Sequence, residues 1–63
     1  MKLAVKIKQL RKKRGMTQEA LARTAGVSLP YIGRLETGRH DPRLSTLRKL
    51  AKALGVPLTA LLE

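Results

Sequence analysis

The chain has no cysteine, no phenylalanine and no tryptophan, and Tyr31 is its only aromatic residue. Without thiols there is neither a disulfide nor a thiolate zinc site, and the lone His40 does not make a metal cage. No cofactor or metal is expected. Acidic residues are scarce, and none precedes Glu19. No apolar run approaches the roughly 20 residues that a membrane span needs. The signal-peptide pattern of basic start, apolar run and small-residue cleavage site is missing too, so the expectation is a soluble cytoplasmic protein. His40 stands beside Asp41, but an acid and a base in a polar loop with no nucleophile form no catalytic constellation. The sequence reads as that of a non-enzyme.

What remains is aliphatic and basic. A chain of 63 residues has room for one small domain, 1–63, which buries only about 60% of its unfolded surface. With abundant Leu and Ala and only one aromatic residue, the fold class is all-α. Fourteen Lys and Arg face four Asp and Glu, a formal net charge of +10. Self-repulsion on this scale opposes compactness and calls for a polyanionic partner, nucleic acid first and an anionic membrane surface second. Plain solubility is the competing explanation.

The stretch from Thr17 to Gly38, TQEALARTAGVSLPYIGRLETG, reads as two short helices joined by a tight turn. Thr17 is an N-cap type, and Leu21, Ala22 and Ala25 follow on one face. Gly26 suits the left-handed conformation that ends a helix, and Ser28 supplies a second N-cap two residues later. Pro30 falls in the first turn of the next helix, where a missing N–H costs no helical bond, and Ile32 and Leu35 form its inward face before Gly38. Helix, glycine turn, helix is the helix-turn-helix pattern. Leu3, Ile7 and Leu10 predict an earlier helix over 3–14 stopped by Gly15, with Lys2, Lys6, Lys8, Lys12, Lys13 and Arg14 around it. Its apolar face is too narrow and lacks the aromatic anchors of a membrane-surface helix. Ser45 is read as the N-cap of a fourth helix carrying Leu47, Leu50, Ala51 and Leu54, with Gly55 as its stop. Pro57 opens a last short helix with Leu58, Leu61 and Leu62. These leucines either close the core or form a dimer patch.

Arg11, Thr17-Gln18-Glu19, Leu21-Ala22, Ala25-Gly26-Val27-Ser28, Ile32, Leu35-Glu36, Gly38, Pro42 and Leu50-Ala51 through Leu54-Gly55-Val56 resemble the Cro and phage-repressor type (XRE-like) helix-turn-helix DNA-binding domain over nearly the whole chain. The resemblance implies a compact five-helix lambda-repressor-like domain whose third helix enters the DNA major groove. It points to Glu36 as the ion-pair partner of Arg11, a residue at the edge of the first helix's inward face. It makes Gln18, with Thr17 at the same helix start, a clamp on the DNA backbone, where orphan N–H groups already favour a phosphate. A solvent-facing helix former is the other reading of Gln18. By family position Arg39 and Arg43 contact phosphates. Ser28, Leu29, Pro30, Tyr31 and Arg34 face away from Ile32 and Leu35 and are the candidates for reading bases, with Arg34 placed to read a guanine. For Leu29, packing against the neighbouring helix competes with a base contact. Leu29-Pro30 departs from the polar residues common at these family positions.

The expectation is therefore a sequence-specific binder of double-stranded DNA of the transcriptional-regulator type, a monomer or weak homodimer without a separate oligomerisation or sensor domain. The alternative from another class is a protein-interaction module, such as a toxin-antidote component, that uses the same fold for docking. An RNA-binding or ribosome-associated role is a third reading.

Overall fold

Ile7, Leu21, Ile32, Leu35, Leu50, Leu54 and Leu61 are fully withdrawn from solvent and come from all five helices found among the described residues. The computed structural model describes residues 3–63; Lys2, grouped by charge with the first helix, lies outside the described residues. The helices are α1 (Leu3–Lys13), α2 (Gln18–Ala25), α3 (Leu29–Glu36), α4 (Leu44–Leu54) and α5 (Thr59–Leu62). The fold is all-α. Ala22, Ala25, Leu47 and Ala51 complete the buried cluster, and the alanines let α2 and α4 approach closely around it. Each fully buried Leu or Ile contributes roughly 1.5–3 kcal/mol, which is how short helices with little stability of their own are held.

The helix-turn-helix is built from local signals. Thr17 is extended, and its Oγ1 accepts from the Ala20 N–H at 3.0 Å, fixing the start of α2. At the other end Gly26 has φ 75°, and the N–H groups of Gly26 and Val27 return to Arg23 and Ala22 carbonyls. This is the left-handed closure that glycine adopts without a Cβ penalty. Ser28 then repeats the role of Thr17, its Oγ accepting from the Tyr31 N–H at 3.2 Å. Pro30 sits in the first turn of α3.

The fourth helix begins earlier than its Ser45 cap predicts. Its N-cap is Arg43, extended and without a side-chain cap bond, and Ser45 already lies inside the helix. The backbone decides this: the Thr46 and Leu47 N–H groups both bond to the Arg43 carbonyl at 3.0 Å, so the first turn closes around residue 43. At its far end α4 stops at Gly55, φ 69°. There Arg14 reaches across from the end of α1, donating from Nε to the Leu54 carbonyl (2.6 Å) and from Nη2 to the Gly55 carbonyl (2.9 Å). A cation on the last carbonyls complements the helix dipole. The closing turn starts at Pro57, with regular helix from Thr59. Of its leucines, Leu61 is buried and Leu58 packs against the core, while Leu62 stays 54% exposed.

Candidate nucleic-acid interface

The inward face of α3 is anchored by Ile32 and Leu35, so its other face is committed to solvent. Ser28, Leu29, Pro30 and Arg34 are exposed and Tyr31 is half-buried. Leu29 is 44% exposed and stands outside the core rather than filling a helix contact. Tyr31 is the centre of this face. The Arg34 guanidinium carbon lies 5.8 Å from its ring centroid, within the range of a cation–π contact. The His40 ring meets it edge-on, centroids 4.8 Å apart, with His40 Nε2 3.1 Å from the Tyr31 hydroxyl.

An open cleft runs from this face to the start of α4, lined by Ser28, Tyr31, His40, Arg43 and Lys49 among others. It unites three of the sequence-predicted residues, Ser28, Tyr31 and Arg43, with Lys49 and with His40, which the sequence suggests only as loop polarity. His40 lies in a polar loop nine positions from Tyr31, with no periodicity to betray the contact. Lys49, an exposed cation of α4, carries no sequence signal beyond its charge. Leu29 and Pro30 stand on α3 outside the cleft lining, as does Arg39, whose exposed side chain follows the helix in the loop.

Gln18 and Thr17 sit at the start of α2, away from that cleft lining. The Gln18 amide is partly committed: Nε2 donates to Glu36 Oε1 at 3.0 Å, leaving one of its two amide hydrogens. Glu36 also receives Arg11, whose Nε donates to Oε2 at 2.6 Å and Nη2 to Oε1 at 3.1 Å. The Arg11 Nη1 donates to the Met16 carbonyl at 2.7 Å. Burial works to raise the Glu36 carboxyl, but the bonds from Arg11 and Gln18, with the charges of Arg11 and Lys8, outweigh it and hold the group below its ordinary value. Chains of donors on one carboxylate thus join α1, the start of α2 and the end of α3. Among the described residues no helix is long and apolar enough to cross a membrane.

Two short helices locked at a glycine turn, the second turning an exposed face outward, define a helix-turn-helix domain. The chain belongs to the helix-turn-helix family HTH_3, which it matches over residues 7–61. It is 41% identical over 63 residues, all of this chain and 49% of the relative, to the HTH-type transcriptional regulator DdrOP3 of Deinococcus deserti. It is also 41% identical over 61 residues, 97% of this chain and 42% of the relative, to the immunity repressor protein of Bacillus phage phi105. The chain thus spans about half the length of these two relatives. Among solved structures it is similar to the restriction-modification controller protein C.AhdI of Aeromonas hydrophila, with a TM-score of 0.93 and 33% identity over 95% of this chain and 91% of that one. The five-helix, lambda-repressor-like architecture is therefore shared across regulators of this family.

Proposed function

We propose that this chain binds double-stranded DNA sequence-specifically, as a transcriptional regulator of the repressor type, by inserting the N-terminal part of α3 into the major groove. The observation that carries this is the division of α3 into a face sealed by Ile32 and Leu35 and an open face of Ser28, Leu29, Pro30, Tyr31 and Arg34 beside a cationic cleft. Arg34 reads a guanine, whose major-groove edge accepts two hydrogen bonds from one guanidinium. Arg43 and Arg39 hold phosphates from the loop after α3. Thr17, whose hydroxyl hydrogen is left over from its capping role, and Gln18, with its remaining amide hydrogen, hold them from the start of α2. Phosphate oxygens only accept, so spare donors are what this role needs. Arg11 and Glu36 contribute by fixing the angle between α1 and α3. Residues 1–63 act as one DNA-binding domain, in the cytoplasm, as a monomer or a weak homodimer joined near the exposed Leu62 of α5.

Selection of bound duplexes from a random pool, followed by competition with heparin, tests this. A recurring short motif retained under heparin is the expected result, palindromic if two copies bind. If the pool yields no motif and a protein partner is captured instead, the fold serves as a docking module and the proposal fails.

A further inference from the structure

The first turn of α3 presents apolar side chains to the outside. After the Ser28 cap, whose Oγ accepts from the Tyr31 N–H at 3.2 Å, come Leu29 and Pro30, both exposed. Pro30 lacks even a backbone N–H. We propose that Leu29 is a specificity-determining residue that packs against the 5-methyl group of a thymine in the major groove. This rests on the reading of α3 as the helix that meets DNA.

A leucine that is 44% exposed is ordinary on a protein surface, so exposure alone assigns nothing. Its place does. Leu29 is the first residue of α3, directly after the cap, and recognition helices bring their N-terminal residues to base edges. An aliphatic side chain there has one counterpart. The major-groove edges of guanine, adenine and cytosine carry only donors and acceptors, and a leucine set against them strips those groups of water without replacing the hydrogen bonds. Thymine alone adds a C5-methyl group, whose apolar surface leaves water in the same contact.

Gly33 points independently to the same spot. It lies four positions after Leu29, hence on the same side of the helix and one turn further along. Glycine is a poor choice inside a helix, and here neither backbone nor packing asks for it. Its φ is not positive, and a Cβ added there meets nothing within 4 Å. Alanine would suit the free protein better, yet the space beside Leu29 is kept open. A bare backbone is what lets another molecule approach closely. A methyl group entering there is touched on two sides, by Leu29 and by the Gly33 backbone.

The test uses a duplex selected from an unmodified random pool, in which each thymine in turn is replaced by deoxyuridine. That exchange removes the methyl group and leaves every hydrogen-bonding atom in place. Wild type is expected to lose about fourfold in affinity at one position, the worth of burying one methyl group, and little at the others. Leu29→Ala, whose side chain stops short, should bind the thymine duplex about fourfold more weakly, with a thymine-to-uracil ratio near one at that position. Leu29→Met, apolar and of similar reach, should restore the ratio. Gly33→Ala should raise the thermal midpoint of the free protein yet weaken the selected duplex severalfold, which a merely structural glycine would not do. The proposal is overturned, with the DNA reading intact, by a site that has no uracil-sensitive position or by a sensitivity that survives Leu29→Ala. Full-strength binding by Gly33→Ala overturns it as well. If the wild type binds no duplex, the reading of α3 fails and this proposal fails with it.

Discussion

Arg11 and Glu36, twenty-five positions apart, form a two-point ion pair between α1 and the end of α3, with Glu36 Oε2 2.6 Å from Arg11 Nε and Oε1 3.1 Å from Nη2. Arg11 is only 8% exposed, and the Glu36 side chain 3%. The orientation of α3 against α1 is therefore fixed by a contact largely sheltered from water.

Glu36→Gln keeps the shape of the side chain and removes its charge, leaving the Arg11 guanidinium in a sheltered place without a counter-charge. A loss of about 2 kcal/mol in stability is expected at neutral pH. The pH dependence has a definite sign. Because folding holds the Glu36 carboxyl below its ordinary value, its contribution is present above the unfolded value near 4.3. It is lost as the pH falls through the lower folded value. Urea denaturation at a series of pH values should show wild type and variant a constant interval apart above about pH 5 and converging below it. Equal stability at neutral pH would remove Arg11–Glu36 as a structural tie.

Gly26 and Gly55 share a left-handed backbone but not a neighbourhood. A Cβ at Gly26 meets open space, whereas one at Gly55 would overlap the Arg14 guanidinium. Gly26→Ala should cost backbone strain alone, on the order of 1 kcal/mol. Gly55→Ala should cost about 1 kcal/mol more, because it also releases Arg14 from the Leu54 and Gly55 carbonyls. In an Arg14→Ala background that surplus should vanish, a coupling that thermal denaturation of the four proteins in the cycle measures directly.

For the basic excess, contact with four to six phosphates predicts a slope of roughly −4 to −5 for the logarithm of the binding constant against the logarithm of salt concentration. Fluorescence anisotropy on one duplex between low and physiological salt gives the slope. A flat response would place the partner among proteins instead.

Arg34 and Arg43 should separate reading from holding. Arg34 projects from α3 over Tyr31, while Arg43 caps the start of α4 through its backbone and lines the cleft. Arg34→Ala is expected to relax preference at one base pair, by about 1–3 kcal/mol of discrimination. Arg43→Ala is expected to weaken all duplexes alike and to lower the salt slope by about one unit. The measurement needs matched and singly substituted duplexes at two salt concentrations. A uniform loss with Arg34→Ala would make Arg34 a phosphate contact.

The helices around the turn were legible because their signals act over three or four residues. Thr17 and Ser28 each cap an N–H three positions on, and Gly26 closes α2 on carbonyls within the preceding turn. Such bonds form in nearly any context, so the residue types alone carry them. Inward faces follow likewise from helical spacing, and Ile7, Leu21, Ile32, Leu35, Leu50 and Leu54 are all buried. Where two local signals competed, pattern was a weaker guide. Ser45 is a better cap than Arg43 by residue type, yet the chain leaving Pro42 enters the helix at Leu44 and Ser45 is swept inside.

What only the tertiary structure decided are the partners of polar side chains far apart in sequence. Arg14 looked like one more cation at a helix end, and its guanidinium in fact closes α4 forty residues later. Gln18 was placed at the start of α2, but not with one amide hydrogen already given to Glu36. His40 read as loop polarity until the loop folded it onto Tyr31. An apolar side chain declares its destination by periodicity, because burial is non-directional and any core position satisfies it. A hydrogen bond needs one donor and one acceptor about 3 Å apart at a favourable angle, and that coincidence exists only once the helices have packed.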